Sequence, residues 1–360
     1  MPLRYFFAFV PLLLAAPAFV VGQSTTPLPI LFDITLAGQR LEGMPLAWSK
    51  EKVFLLGRDG VMSSFDPRTV GSFQKTNRAF EPYTAQWMKT ALSNELGADY
   101  DVSESGRFLV AHPRGQGRQW VDRFDELSRA FTMYFKVRGF ELREPAFPLI
   151  AVVYRTREEF QRAVISQGMT PGEHLIGCYL SSNNRTAMFD LDQGRGGANR
   201  AETLATVVHE ASHQLAFNTG IHSRWAPPPR WVAEGLGTMF EARGVWDSQA
   251  FPNRADRINR ERLEHFRAMR KTRKPDAVLA LLRDDRPFDA AVLDAYAEAW
   301  ALTFYLVETY PREYAQYLKK TGDAAPSRRT SRRNESPTSW RCSAAIFACS
   351  MRAICALSTN

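Results

Sequence analysis

Apolar positions in the first half of this chain recur mostly at strand spacing, and in the second half mostly at helical spacing. Residues 30–36 and 52–56 are rich in strand formers, and Arg58-Asp59-Gly60 supplies a turn. Residues 80–98 are predicted helical and 107–111 a strand. Val121, Phe124, Leu127, Phe131 and Tyr134 then place one face of a helix over 119–137. A continuous apolar strand is predicted at 148–154, a helix at 157–166, and two strands at 178–180 and 186–191 joined through Ser181-Ser182-Asn183-Asn184. A glycine-rich stretch, 194–197, precedes a region that reads as helical from 199 to 320. Strand, helix, strand, helix, hairpin and then helices predict an α+β fold rather than a doubly wound sheet.

The composition fits a folded chain. The apolar fraction is 45% and the charged fraction 23%, which argues against wholesale disorder. One early cation, Arg4, followed by an apolar run over 5–21 predicts a signal peptide ending near residue 22, and hence a secreted or periplasmic protein. The alternative is an uncleaved anchor, but the run is short for a stable span and contains Pro11 and Pro17. The formal net charge is +8, but 327–360 alone holds six arginines and one acid. A nucleic-acid partner is therefore not expected. Three of the four cysteines (Cys342, Cys349 and Cys355) also lie there, leaving Cys178 as the one thiol of the body. This tail, 323–360, has no periodicity. It is either a secreted regulatory tail or, since codons permitted for 333–360 can spell an amphipathic helix in another frame, the product of a frame shift between about 322 and 333. The expected organisation is a signal peptide over 1–22, a small β-rich module over 23–115, a main domain over 116–322, and the tail.

The chemistry concentrates at His209-Glu210-Ala211-Ser212-His213. Leu204, Val207, Val208, Ala211 and Leu215 put this segment on a helix with an apolar face. Residues i and i+4 share a face, so both imidazoles reach one cation. Glu210 is rotated by about 100° and stands beside the metal, where a general base for a bound water belongs. The plain alternative is a surface histidine pair. A second helix begins at Arg230, and its Glu234 completes a two-histidine, one-glutamate zinc set. Gly235 and Gly237 cost helix stability, which close packing against the first helix would explain. Glu241, two turns past Glu234 on the same face, is either a solvated helix end or the acceptor for a ligand histidine.

With H-E-A-S-H-Q at 209–214 and W-V-A-E-G at 231–235, residues 148–320 resemble the gluzincin metallopeptidases. More narrowly they resemble the secreted bacterial group called domain of unknown function 1570, among the peptidase MA-like proteins. The resemblance implies a zincin-like fold with a strand-containing upper subdomain, a helical lower subdomain and the metal site between them. It implies Zn2+ held by His209, His213 and Glu234, with Glu210 as base. Related proteases often place an oxyanion-stabilising tyrosine on a later helix, which makes Tyr296 the candidate here, although its stripe with Leu293, Trp300 and Phe304 also reads as core. His222 and His265 are expected to face solvent. The strand at 186–191 is either an edge that binds substrate backbone or part of a plain core hairpin. The function expected is an exported zinc peptidase acting on a peptide or protein. The alternatives are an inactive zinc-bearing envelope module and a hydrolase of a non-peptide amide.

Overall fold

The computed structural model describes residues 30–172, 175–191 and 200–323; the signal-peptide, glycine-stretch and tail readings lie outside the described residues. The architecture is α+β: two open sheets come first and a helical part follows. The first sheet has the order β4-β3-β2-β1-β5, built from β1 (Ile30–Leu36), β2 (Gln39–Trp48), β3 (Val53–Gly57), β4 (Met62–Phe65) and β5 (Val70–Ala79). The long strands β2 and β5 were not anticipated. Their partly exposed, mixed sequences lack a clean apolar alternation, and pairing with β1 fixes them instead, across a two-residue hairpin for β2 and over a long separation for β5.

Next come α1 (Ala85–Leu96), β6 (Tyr100–Ser105), β7 (Phe108–Pro113), α2 (Gln119–Lys136), β8 (Leu149–Tyr154), α3 (Arg157–Ser166), β9 (Gly177–Leu180) and β10 (Arg185–Phe189). The second sheet has the order β6-β7-β8-β10-β9, with β7, β8 and β10 mutually parallel and β6 and β9 antiparallel at the two edges. Strands β6 and β7, expected within the N-terminal module, hydrogen-bond instead to this sheet. The first sheet accordingly ends at Ala79. Strand β10 is internal, so the core-hairpin reading of 186–191 is the one observed, and β9 is the edge of the sheet among the described residues.

Strands buried on both faces explain the continuous apolar run at 149–153. Leu149, Ala151 and Val153 join Phe108 and Val110 in the large core with α2, whereas Ile150 and Val152 join Leu109 and Ala111 beneath Met88 and Leu92 of α1. The helical part comprises α4 (Arg200–Asn218), α5 (Arg230–Phe240), α6 (Arg243–Trp246), α7 (Arg260–Ala268), α8 (Ala277–Arg283), α9 (Pro287–Ala290), α10 (Val292–Thr309) and α11 (Pro311–Gly322). Among the described residues, no helix is long and apolar enough to cross a membrane.

Polar contacts set α4 against the sheet. The buried Gln214 amide donates to the carbonyls of Ile150 (3.0 Å) and Asn184 (2.8 Å). Asn184, in the left-handed region at φ 60°, pairs with Asn218 at the end of α4 through two amide contacts of 2.9 and 2.7 Å. These bonds fix the rotation of α4, and with it the direction of its histidines.

Arg224, in the loop between α4 and α5, is buried and donates to the carbonyls of Ser181 (2.8 Å), Ser182 (3.1 Å) and Gly60 (2.8 Å). One guanidinium thus joins the helix-connecting loop, the β9–β10 turn and the first sheet. Its replacement leaves buried carbonyls unpaired, so Arg224→Met is expected to lower unfolding free energy by about 3 kcal/mol in urea titration. A change below about 0.5 kcal/mol would show that the guanidinium is dispensable.

Candidate metal centre

Helices α4 and α5 cross where both carry polar residues on otherwise apolar faces. Helix α5 starts after Pro229, and its first backbone N–H, that of Arg230, is capped from a distance by the Asp285 carboxylate at 3.1 Å. Trp231, Val232, Leu236, Met239 and Phe240 bury the rest of the helix in the main core. That packing turns Glu234 toward α4.

Three donor atoms meet there. His209 Nε2 lies 3.3 Å from Glu234 Oε2, His213 Nε2 lies 3.4 Å from the same oxygen, and the two Nε2 atoms are 3.0 Å apart. Bonds of about 2.0–2.1 Å to a tetrahedral ion place its ligand atoms about 3.3–3.4 Å from one another. The triangle therefore has nearly the dimensions of one face of such a polyhedron. The group could hold a metal ion. Its chemistry agrees: two imidazoles and a carboxylate, all in a largely buried position.

The two glycines have different reasons. A Cβ on Gly237 would stand 2.8 Å from His209 Cε1 and 3.0 Å from both ring nitrogens, so this position makes room for the imidazole. A Cβ on Gly235 would instead meet Thr303 Oγ1 and the Ala299 carbonyl of α10. Packing against the motif helix thus explains Gly237 but not Gly235.

Glu241, just past α5, accepts from His209 Nδ1 at 2.8 Å. That bond puts a proton on Nδ1 and leaves Nε2 free to coordinate. Glu210 sits on α4 beside the triangle. Burial raises its pKa, partly offset by the two histidines and by the nearby backbone N–H of Tyr179 in β9. Tyr296 on α10 has its ring 6.3 Å from that of His209, on the side of the cluster where Glu234 stands. Burial and the neighbouring Glu234 and Glu210 raise its pKa, so the phenol keeps its proton.

Of the two histidines expected to face solvent, only His222 departs from expectation. His222 is buried, because the loop folds back and its N–H donates to the Ala216 carbonyl at 2.9 Å. Burial, with His213 nearby, pushes its pKa down to about 3. His265 is partly exposed and pairs with Asp294 at 2.7 Å. Sequence reasoning missed the Tyr179 N–H, because a backbone donor carries no side-chain signature.

Residues 203–328 match the family model described as protein of unknown function (DUF1570). No curated protein matches the chain. The DUF1570 span holds all three donors together with Glu210, Glu241 and Tyr296, whereas β9 and β10 precede it.

Two predictions follow from the geometry. Gly237→Ala gains about 1 kcal/mol of helix propensity but pushes a methyl group into the His209 ring, an overpacking cost of about 1–3 kcal/mol. It should weaken metal binding at least about 10-fold in chelator competition, since displacing a ligand histidine costs that much. Gly235→Ala, facing α10, should lower the melting temperature with a smaller change in affinity. Equal affinities for Gly237→Ala and the wild type would remove the fit argument. The second concerns pH. Burial lowers the pKa of His209, but Glu234 and Glu241 outweigh it and hold the imidazole well above its ordinary value. A metal must displace that proton, so affinity should keep rising with pH through neutrality, with proton release in calorimetry across buffers. Affinity flat between pH 6 and 8 would contradict this charge state.

Proposed function

We propose that this chain is a zinc-dependent hydrolase of the gluzincin type, acting on peptide bonds outside the cytoplasm. The observation that carries the reading is the 3.0–3.4 Å triangle of two imidazoles and a carboxylate, with a buried carboxylate one residue along the same helix. Two histidines and a glutamate suit Zn2+ and leave a position for water and substrate.

When bound, the zinc ion supplies Lewis-acid activation of a water and polarisation of the scissile carbonyl. Glu210, with its pKa raised toward the working range of a general base, takes the proton of the attacking water and passes it to the leaving amine. Tyr296 stays protonated and is the donor for the developing oxyanion, carried by α10 beside Glu234. Glu241 keeps His209 in the coordinating tautomer. The edge strand β9, whose Tyr179 N–H lies near the Glu210 carboxylate, is where an extended substrate backbone would pair. The early apolar run supports export, and burial, which raises the Cys178 thiol pKa, makes it an unreactive core residue rather than a nucleophile.

Glu210→Gln should retain one zinc per chain and lose hydrolysis of a peptide library by at least about 100-fold, the lower range for general acid–base catalysis. Full activity in that variant would refute the mechanism. A wild-type chain that binds zinc yet cleaves nothing across the pH range would favour the inactive envelope module.

A further inference from the structure

We propose that Asn259 is a positioning residue for the metal centre, acting through Glu241 to hold the His209 imidazole with Nε2 toward the cation. The inference rests on the zinc reading above and concerns a residue 50 positions from the histidine it serves.

Glu241 is poorly placed to hold itself. It is the residue that ends α5, where exposed carbonyls and the helix dipole disfavour a carboxylate. A free glutamate there would also sample several rotamers. Yet its Oε1 must stay on His209 Nδ1 if the ring is to keep both its tautomer and its plane. The other oxygen supplies the restraint. Glu241 Oε2 accepts from the Asn259 amide at 2.6 Å, and Arg262 Nε stands 4.0 Å away.

Asn259 is itself fixed on every polar atom that these contacts use. It is buried, and its amide nitrogen also donates to the Thr238 carbonyl of α5 at 2.9 Å. Its side-chain oxygen accepts the Arg262 N–H at 3.2 Å and so caps α7. The segment that brings it back is clamped too. Gly244 lets the Asp256 and Arg257 backbone come within 2.6–2.8 Å of where a Cβ would stand, and Arg257 makes a two-pronged pair with Glu308 of α10 at 3.1 and 3.0 Å. The amide is thus a fixed donor, held directly by α5 and α7 and through its flanking segment by α6 and α10, and it faces a carboxylate whose own position in the chain is unfavourable. A cap alone would need only the side-chain oxygen; the amide hydrogens serve α5 and Glu241.

The test is zinc affinity by chelator competition in the full chain, arranged as a double-mutant cycle. Asn259→Ser keeps an N-cap residue and removes the amide donor. It should weaken zinc binding by about 10-fold or more, within the range for outer partners of ligand histidines. In a Glu241→Ala background the same substitution should change affinity less than about 2-fold, because the path it acts on is gone. Asn259→Asp keeps shape and cap but turns an oxygen toward Oε2, and should weaken binding more than serine does. NMR of labelled histidine in the zinc-loaded chain supplies a readout that a purely structural role would not move: the His209 Nδ1–H proton, held on Glu241 in the wild type, should exchange faster with solvent in Asn259→Ser. Unchanged affinity, or an equal loss in both backgrounds, overturns the inference while leaving the zinc reading intact. No zinc uptake by the wild type removes both.

Discussion

Everything chemical in this molecule depends on the distance between two helices. Helix α5 approaches α4 closely enough for Glu234 Oε2 to reach both imidazoles, and it does so because Gly237 places no Cβ against the His209 ring. Three polar side chains in so small a volume are unfavourable by themselves. Burial raises carboxylate pKa values and lowers those of imidazoles, yet mutual attraction reverses both effects, leaving Glu234 well below and His209 well above their ordinary values. The cluster is therefore charged and compact, the state that a cation would replace.

The surroundings divide the labour of holding that state. Apolar packing fixes where the helices lie: Leu215 and Val208 of α4 share a core with Trp231, Leu236 and Phe240 of α5. Directed hydrogen bonds fix how they are turned. Gln214 registers α4 on the sheet, Asp285 starts α5, and Asn259 secures the carboxylate that orients His209. Arg224 ties the loop between the two helices to the β9–β10 turn and to the first sheet, so the N-terminal strands are packed into the same body as the helices.

Much of this was legible in the sequence, for identifiable reasons. The helical stripe over 119–137, the strand over 148–154 and the histidine helix carry strong periodicity, and all three form where expected. The donors His209, His213 and Glu234 were legible because their spacing is itself the chemistry. What stayed hidden depends on pairing and tertiary contacts. Strands β2 and β5 take their structure from β1 rather than from a clean alternation of their own, and β7 reads equally well in either sheet until its parallel pairing with β8 is seen. His222 read as a loop residue because loops are usually wet, but this one folds back over the end of α4. Asn259 gave no signal at all, since its contact with Glu241 exists only once the chain has returned to α5.

The central claim, that two imidazoles of α4 and one carboxylate of α5 share a cation, is tested most directly by metal analysis of the purified chain beside Glu234→Ala. The account predicts one zinc per wild-type chain and a stoichiometry near zero in the variant after dialysis against a weak chelator. Wild-type protein without metal after zinc loading, or a variant that retains its zinc, would contradict it.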